Sequence, residues 1–475
     1  MLTLAHFLQT LTTDNYFSTG REPAVSSVVV DSRNAKKDSM FVALQGERVD
    51  GHDYVAQAFA NGARFGLVNK EVDGKHLTID LRGGTLATSL PTRWPKQICL
   101  LVDDALLAMQ QAATAWRKQF GVRVIGVTGS VGKTSSKELI HAVLSSKFNT
   151  FKSPGNRNSV LGLPPALFEL RPFHERAVLE MAMYTTGEIA EMCTMTQPAV
   201  GVMTIIGPVH LERAGSMDNI VAAKRELIEA LPDNGVAILN KDDKRVMSMA
   251  DHTNAQIFTY GLDKTADLWA DSIHSMGLDG MRFTLHHQGE SFTVQLPMLG
   301  RHSVHTALRA TAVGLVEGLT WEEIVRGLRG GMSGQLRLVA VGGPKDSIII
   351  DDTYNSSPDS ALAALNLLND LDGRHVAVLG DMLELGYMEE ESHRLVGRRA
   401  ADVAQLLVAV GKRGRVIGEE ALRVGMNPTK VHFVDETTDA IGLLEGLIEQ
   451  NDTLLIKGSL GMRMSQIVAA LGRNS

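Results

Sequence analysis

Short β-branched and apolar runs alternate with segments of helical period along most of the chain, and the pattern predicts α/β architecture throughout. Up to residue 103, strands are predicted at Val25–Val30, Met40–Leu44, Phe65–Val68 and Ile98–Val102. The Val55/Ala58/Phe59 spacing predicts a helix over Tyr54–Asn61, and the first residues read as a short amphipathic helix. Asp73–Lys96, with its Gly pair, Pro and charges, reads as irregular loop or hairpin. Asp104–Phe120 is predicted as a helix, capped by the Asp103-Asp104 pair and stopped at Gly121.

Strands then follow at Val122–Val127, Ala177–Met181, Ala199–Thr204, Val236–Leu239 and Ile257–Tyr260. A helical segment running to Leu144, and helices at Glu188–Cys193 and Asn219–Leu231, fall between them, the succession of a doubly wound, mostly parallel sheet. Leu268–Leu296 changes character: the alternation in Arg282–His286 and Ser291–Leu296 is that of antiparallel strands. His305–Gly318 and Trp321–Leu328 read as helices, and the Gly330–Gly334 run as a domain boundary. A last α/β stretch has predicted strands at Ser347–Ile350, His375–Leu379, Leu406–Val410, Lys430–Phe433 and Thr453–Ile456, and helices at Ser360–Asp370, Glu389–Val403 and Met464–Gly472. The expectation is three α/β domains, residues 1–103, 104–332 and 333–475.

Composition narrows the field. The 475 residues carry a net charge of −7 without a basic run, which argues against a nucleic-acid partner. Two cysteines, Cys99 and Cys193, provide neither a disulfide framework nor a Cys-rich metal site. No run is apolar for long enough to span a bilayer and the N-terminus lacks signal-peptide character, so a cytoplasmic protein without membrane insertion is expected.

The chemistry centres on Val122–Glu138, an apolar strand, a glycine turn, Lys-Thr and then a helix. This is the P-loop arrangement: glycines let main-chain N–H groups curl round phosphate oxygens, and a helix N-terminus adds positive partial charge. Lys133 would neutralise the outer phosphates and the Thr134 hydroxyl would ligate Mg²⁺. The competing reading is a glycine-rich strand–helix turn with a chance Lys-Thr. The strict spacing puts its first glycine at position 127; here it is Gly126.

Other polar residues close apolar strands. Glu180 ends one, as a Mg²⁺ ligand or as half of a satisfied ion pair. His210 follows another, and Lys224 falls on a helix where a lysine is ordinarily solvated. Asp351–Asn355 and Lys457–Ser459 end strands of the last stretch, where open α/β sheets bind ligands.

Together these segments resemble the Mur ligases, the ATP-dependent amide ligases of peptidoglycan precursor synthesis. The resemblance rests on G-V-T-G-S-V-G-K-T-S with its shifted glycine, V-D-S-R, D-S-M-F-V-A-L-Q-G, G-P-V-H-L-E, A-A-K-R-E-L, D-D-T-Y-N-S-S-P, G-D-M-L-E-L-G and K-G-S-L-G-M-R. D-D-T-Y-N-S-S-P followed by V-L-G-D-M-L-E-L-G is similar to the last-acting member of the family. The resemblance implies a small N-terminal UDP-binding domain, a central P-loop ATPase domain and a C-terminal Rossmann-like domain. It implies UDP-MurNAc-tripeptide and D-Ala-D-Ala as substrates, joined through an acyl phosphate by a monomeric enzyme.

By matching motif, Thr128, Gly129, Ser130, Val131, Gly132, Lys133, Thr134 and Ser135 would hold ATP, with His302, Arg337 and Asp352. Lys133, Glu180, His210 and Lys224 would be catalytic. Thr134, Glu180, His210 and a carbamylated Lys224 would support two Mg²⁺ ions. Ser32, Arg33, Gln45, Gly46, Asn156, Tyr354, Asn355, Lys457 and Ser459 would bind substrate. Since these motifs fall in different predicted domains, the site is expected to assemble by rigid-body closure.

The chain departs from the family pattern at Ser159, Val160, Ile205, Ser303 and Thr306, four of which stand where the pattern has asparagine and one, Val160, where it has glutamate. A ligase of the same type with a different acceptor or donor, or a non-catalytic ATP switch, are the alternatives those losses leave open.

Overall fold

The computed structural model describes residues 1–13, 16–46, 49–86, 90–209, 211–330 and 339–472. The chain packs as two compact units. One takes Met1–Ile125, Phe148–Ala182 and Glu188–Pro198; the other takes Gly126–Lys147, Met183–Gly187 and Ala199–Ser475.

In the first unit, β1 (Val28–Val29), β2 (Met40–Val42), β3 (Phe65–Val68), β4 (Leu77–Asp80) and β5 (Ile98–Leu101) form a parallel sheet ordered β1-β2-β3-β5-β4. Phe41, Val55, Ala58, Val68, Cys99 and Leu101 share one of its cores. The stretch predicted as irregular holds β4 as an edge strand. Four residues among glycines, a proline and charges, with only Ile79 fully buried, leave too short an alternation to read. The helix Ala105–Lys118 starts as expected: Asp104 accepts from the Leu107 N–H at 2.9 Å.

Strands β6 (Arg123–Thr128), β7 (Thr150–Lys152), β8 (Arg176–Glu180), β9 (Val200–Met203), β10 (Val236–Asn240), β11 (Gln256–Gly261), β12 (Leu268–Ser275), β13 (Met281–His287) and β14 (Glu290–Leu296) belong to one sheet. Its order is β14-β13-β12-β11-β10-β9-β6-β8-β7. From β9 to β12 neighbours run parallel, and β12-β13-β14 is the antiparallel meander that the alternation predicts. The helix Lys133–Leu144 follows β6, and His302–Val316 begins three residues before its predicted start.

The last sheet comprises β15 (Val339–Gly342), β16 (Ile348–Asp352), β17 (His375–Gly380), β18 (Leu406–Val410), β19 (Val431–Val434) and β20 (Thr453–Lys457), ordered β15-β16-β20-β17-β18-β19. All pairs are parallel except β15 with β16. Apolar clusters around Leu365, Leu379 and Leu407, and around Val376, Val408 and Leu454, contain the alternate residues that successive strand positions send to opposite faces. Helices Gly411–Arg423 and Thr437–Leu447 escaped the sequence reading. The former opens Gly-Lys-Arg-Gly-Arg, so no apolar stripe marks its first turn. Gly331–Gly334, most of the predicted boundary run, lies outside the described residues. Among the described residues no helix is long and apolar enough to cross a membrane.

Helix Gly411–Arg423 is tied to Glu389–Val403 by one carboxylate. Glu420 is buried and accepts from Arg423 at 2.6 and 2.7 Å, from Arg398 at 2.9 Å and from Arg394 at 3.1 Å. These guanidinium bonds, Arg423's foremost, hold its pKa at about 2 although burial opposes them. The folded value is depressed, so the stabilisation is complete above the unfolded value and drains away as pH falls toward 2. Calorimetry should show Glu420→Gln to be less stable than wild type at neutral pH, with a thermal midpoint that declines less between pH values of about 4.5 and 2. Equal slopes in the two proteins would contradict the assignment.

Candidate active site

The turn after β6 is built for close approach. Gly129 has φ 142°, and a Cβ placed on it would fall 1.8 Å from Thr204 Oγ1. Only glycine fits there. Gly132, at φ 83°, precedes the helix Lys133–Leu144 and offers no side-chain cap, so first-turn N–H groups face whatever anion the loop receives. The loop is fixed from β9 outward: Thr204 N–H donates to Thr128 O, Ser130 N–H to Ile205 O, and Ser130 Oγ bonds both the N–H and the carbonyl of Gly207.

Two lysines converge on this loop. Lys133 Nζ donates to Gly129 O at 2.8 Å and to Ser130 O at 3.1 Å. Lys224, on the helix Met217–Glu229, donates to the same Gly129 oxygen at 2.9 Å. Lys224 is 1% exposed, and burial, reinforced by the Lys133 charge, holds its amine well below the ordinary lysine value. A neutral amine is the nucleophilic form of lysine.

The loop opens on a cavity of about 890 Å³. Of the predicted residues, Ser130, Val131, Gly132, Ser135, His302, Asp352, Asn355 and Lys457 line it. Asp352 and Lys457 occupy matching positions at the ends of β16 and β20, and the buried Lys457 ammonium bonds Asp352 Oδ2 at 2.6 Å and Asn355 O at 2.9 Å. Tyr354 is exposed beside them, whereas Ser459 is buried and accepts from Leu383 N–H at 2.9 Å. Leu262, Ile273 and Leu278 give part of the cavity an apolar wall.

Ser32, Arg33, Gln45, Gly46, Asn156 and Glu180 belong to the first unit. Ser32 and Arg33 lie in the turn Ser32–Asn34, capped by Asp31, with Arg33 paired to Asp31. Gln45 bridges to Asp50, Gly46 N–H donates to Val49 O, and Asn156 is exposed. Glu180 is 1% exposed at the end of β8, and its Oε1 accepts from Asn158 at 2.8 Å. His210 and Arg337 lie outside the described residues.

Sequence reasoning missed Asn158, the second of the two asparagines kept in the altered Gly155–Val160 segment, whose strand-end carboxylate partner was the available signal. It also missed the N-terminus of helix Pro358–Asn369, which reaches the cavity at Ser357 and Ser360 through a capping box that Ser-Ser-Pro could have announced. Of the departures from the family pattern, Ser303 is buried and donates to Met298 O at 3.3 Å, Ser159 Oγ accepts from Gly162 N–H, and Ile205 and Thr306 line the cavity.

The available donors suit a hard divalent cation. Near the loop, besides the Thr134 hydroxyl, Thr204 Oγ1 is buried and makes no hydrogen bond among the described residues. Oxygen donors of this kind are those that Mg²⁺ takes.

Fold and loop define a P-loop α/β enzyme. Models of the Mur ligase family, catalytic domain, match residues 24–77; of the Mur ligase middle domain, 127–314; and of the Mur ligase, glutamate ligase domain, 336–460. The UDP-N-acetylmuramoyl-tripeptide–D-alanyl-D-alanine ligase of Bacillus subtilis (strain 168) is 34% identical over 95% of this chain and 94% of its own. The ligase of the same name from Escherichia coli (strain K12) is 34% identical over 96% and 95%. MurF from Acinetobacter baumannii superposes with a TM-score of 0.83 at 31% identity, over 98% of both chains. The chain belongs to the Mur ligase family.

Gly129→Ala should raise the Kd for ATP at least about tenfold, or about 1.4 kcal/mol, because the methyl group and the Thr204 hydroxyl compete for one space. Isothermal titration on the folded variant checks this; unchanged affinity would contradict it.

Proposed function

We propose that this protein joins the terminal carboxylate of UDP-MurNAc-tripeptide to the amine of D-Ala-D-Ala, converting ATP to ADP and phosphate. Membership of the family and the names of full-length relatives support the reaction. The observation that carries it is the P-loop and its two lysines, opening on a cavity shared with the Asp352–Lys457 strand ends.

In this reading, residues 1–103 form the UDP-substrate domain, 104–332 the ATP-binding domain and 333–475 the Rossmann-like ligase domain. Ser32, Arg33, Gln45, Gly46 and Asn156 bind the UDP-linked substrate. Thr128–Ser135 cradle the phosphates, with His302, Arg337 and Asp352 completing the nucleotide site. A carboxylate oxygen of the tripeptide attacks the γ-phosphorus, and the bond to ADP breaks. The amine of D-Ala-D-Ala then attacks the acyl carbon, phosphate leaves with that carboxylate oxygen, and the amine gives up a proton. Lys133 and the loop N–H groups stabilise charge on the transferring phosphoryl group. Tyr354, Asn355, Lys457 and Ser459 orient the dipeptide.

Thr134, Glu180, His210 and Lys224 would hold two Mg²⁺ ions, which neutralise phosphate charge when bound. Lys224 serves there as a carbamate: its amine nitrogen bonds to the carbon of CO₂ and loses a proton. The depressed basicity of this buried amine supports that role, since a cation could neither add to CO₂ nor ligate a metal. The enzyme acts as a monomer in the cytoplasm.

Phosphate release by the purified protein should require ATP, UDP-MurNAc-tripeptide and D-Ala-D-Ala together, with pentapeptide product seen by mass spectrometry. Turnover with another amine or acid in place of these would overturn the substrate assignment. Lys224→Ala should lower ligation at least about a hundredfold, or about 2.7 kcal/mol, with short carboxylates restoring part of it. Full activity in the untreated variant would exclude the carbamate.

A further inference from the structure

Helix His302–Val316 packs against the P-loop helix Lys133–Leu144, and Arg309 projects between them with 3% of its surface exposed. Among the described residues its guanidinium makes three hydrogen bonds, all to neutral hydroxyls: Nε to Ser136 Oγ at 2.7 Å, Nη1 to Tyr260 Oη at 3.3 Å and Nη2 to Thr306 Oγ1 at 2.9 Å. Two of these hydroxyls have their own protons committed elsewhere. Ser136 donates to Gly132 O at 2.6 Å and Tyr260 to Met203 O at 2.7 Å, so each turns a lone pair toward the arginine. The geometry fixes the guanidinium but does not cancel its charge. Among the described residues no carboxylate pairs with it.

A buried cation without a counter-charge is costly, and proteins pair such groups with an anion. The place for the anion is evident. Arg309 lines the same cavity as Ser130, Val131, Gly132 and Ser135, and Nη2 comes within 3.2 Å of the position a Cβ on Gly132 would take. Each terminal nitrogen keeps a second N–H beyond those the hydroxyls use. Lys133 is bonded to the carbonyls of Gly129 and Ser130, whereas Arg309 meets the loop at Gly132.

We propose that Arg309 is a further nucleotide-holding residue, whose guanidinium supplies a fixed positive charge to the phosphate chain of the nucleotide bound at this loop. The proposal rests on the nucleotide reading of the cavity. It assigns Thr306, one of the positions that depart from the family pattern, to holding this arginine.

Arg309→Met keeps length and apolar bulk but removes the charge; Arg309→Lys keeps the charge. Calorimetric titration with ATP should give a Kd at least about tenfold higher for the methionine variant and within about threefold of wild type for the lysine variant. Log Kd for ATP should depend less steeply on salt in Arg309→Met than in wild type. In steady state KM for ATP should rise by a larger factor than kcat falls. Without nucleotide, the methionine variant should melt at or above the wild-type temperature. Wild-type ATP affinity and salt dependence in Arg309→Met would make Arg309 a structural strut and overturn the proposal. If that variant does not fold, Arg309→Gln decides: wild-type ATP affinity and salt dependence in it would equally overturn the proposal. Failure of the wild-type protein to bind ATP would instead remove the nucleotide reading, and this proposal with it.

Discussion

The carbonyl oxygen of Gly129 receives hydrogen bonds from both Lys133 and Lys224, and much of the site follows from that convergence. Two amines on one main-chain oxygen cannot both stay ordinary ammonium groups away from water. The more buried of them, Lys224, yields. Its position also requires the carbonyl to point inward, which the left-handed Gly129 and the close Thr204 side chain enforce. Loop shape, lysine basicity and the exclusion of any side chain at position 129 are therefore one constraint.

A similar economy operates at the ends of β16 and β20. Parallel pairing puts Asp352 and Lys457 at matching positions, so opposite charges meet where both strands stop. The lysine also binds Asn355 O, which fixes the start of the Asp352–Ser357 turn and the helix beyond it. Backbone topology thus delivers a polar floor to the cavity without a dedicated loop.

Most of this was legible in the sequence where a residue type has few physical uses. Glycines, Lys133 and Thr134 between a β-branched strand and a helix permit little besides a phosphate loop, and β3, β18 and helix Glu389–Val403 match their predicted bounds. What escaped depends on contacts distant in sequence. Arg309 sits 173 residues from Ser136 and reads locally as one polar position in an apolar helix. Asn158, in a loop, gains meaning only from Glu180 at the end of β8. Edge strand β4 and helix Gly411–Arg423 were missed because glycine and charge mask their short apolar pattern.

The central claim is that this cavity couples ATP to amide formation through an acyl phosphate, and isotope transfer tests it most directly. UDP-MurNAc-tripeptide carrying ¹⁸O in its terminal carboxylate would be turned over with ATP and D-Ala-D-Ala, and the released phosphate examined by mass spectrometry. The account predicts one ¹⁸O atom in each phosphate formed from doubly labelled substrate. Unlabelled phosphate accompanying normal pentapeptide formation would contradict it.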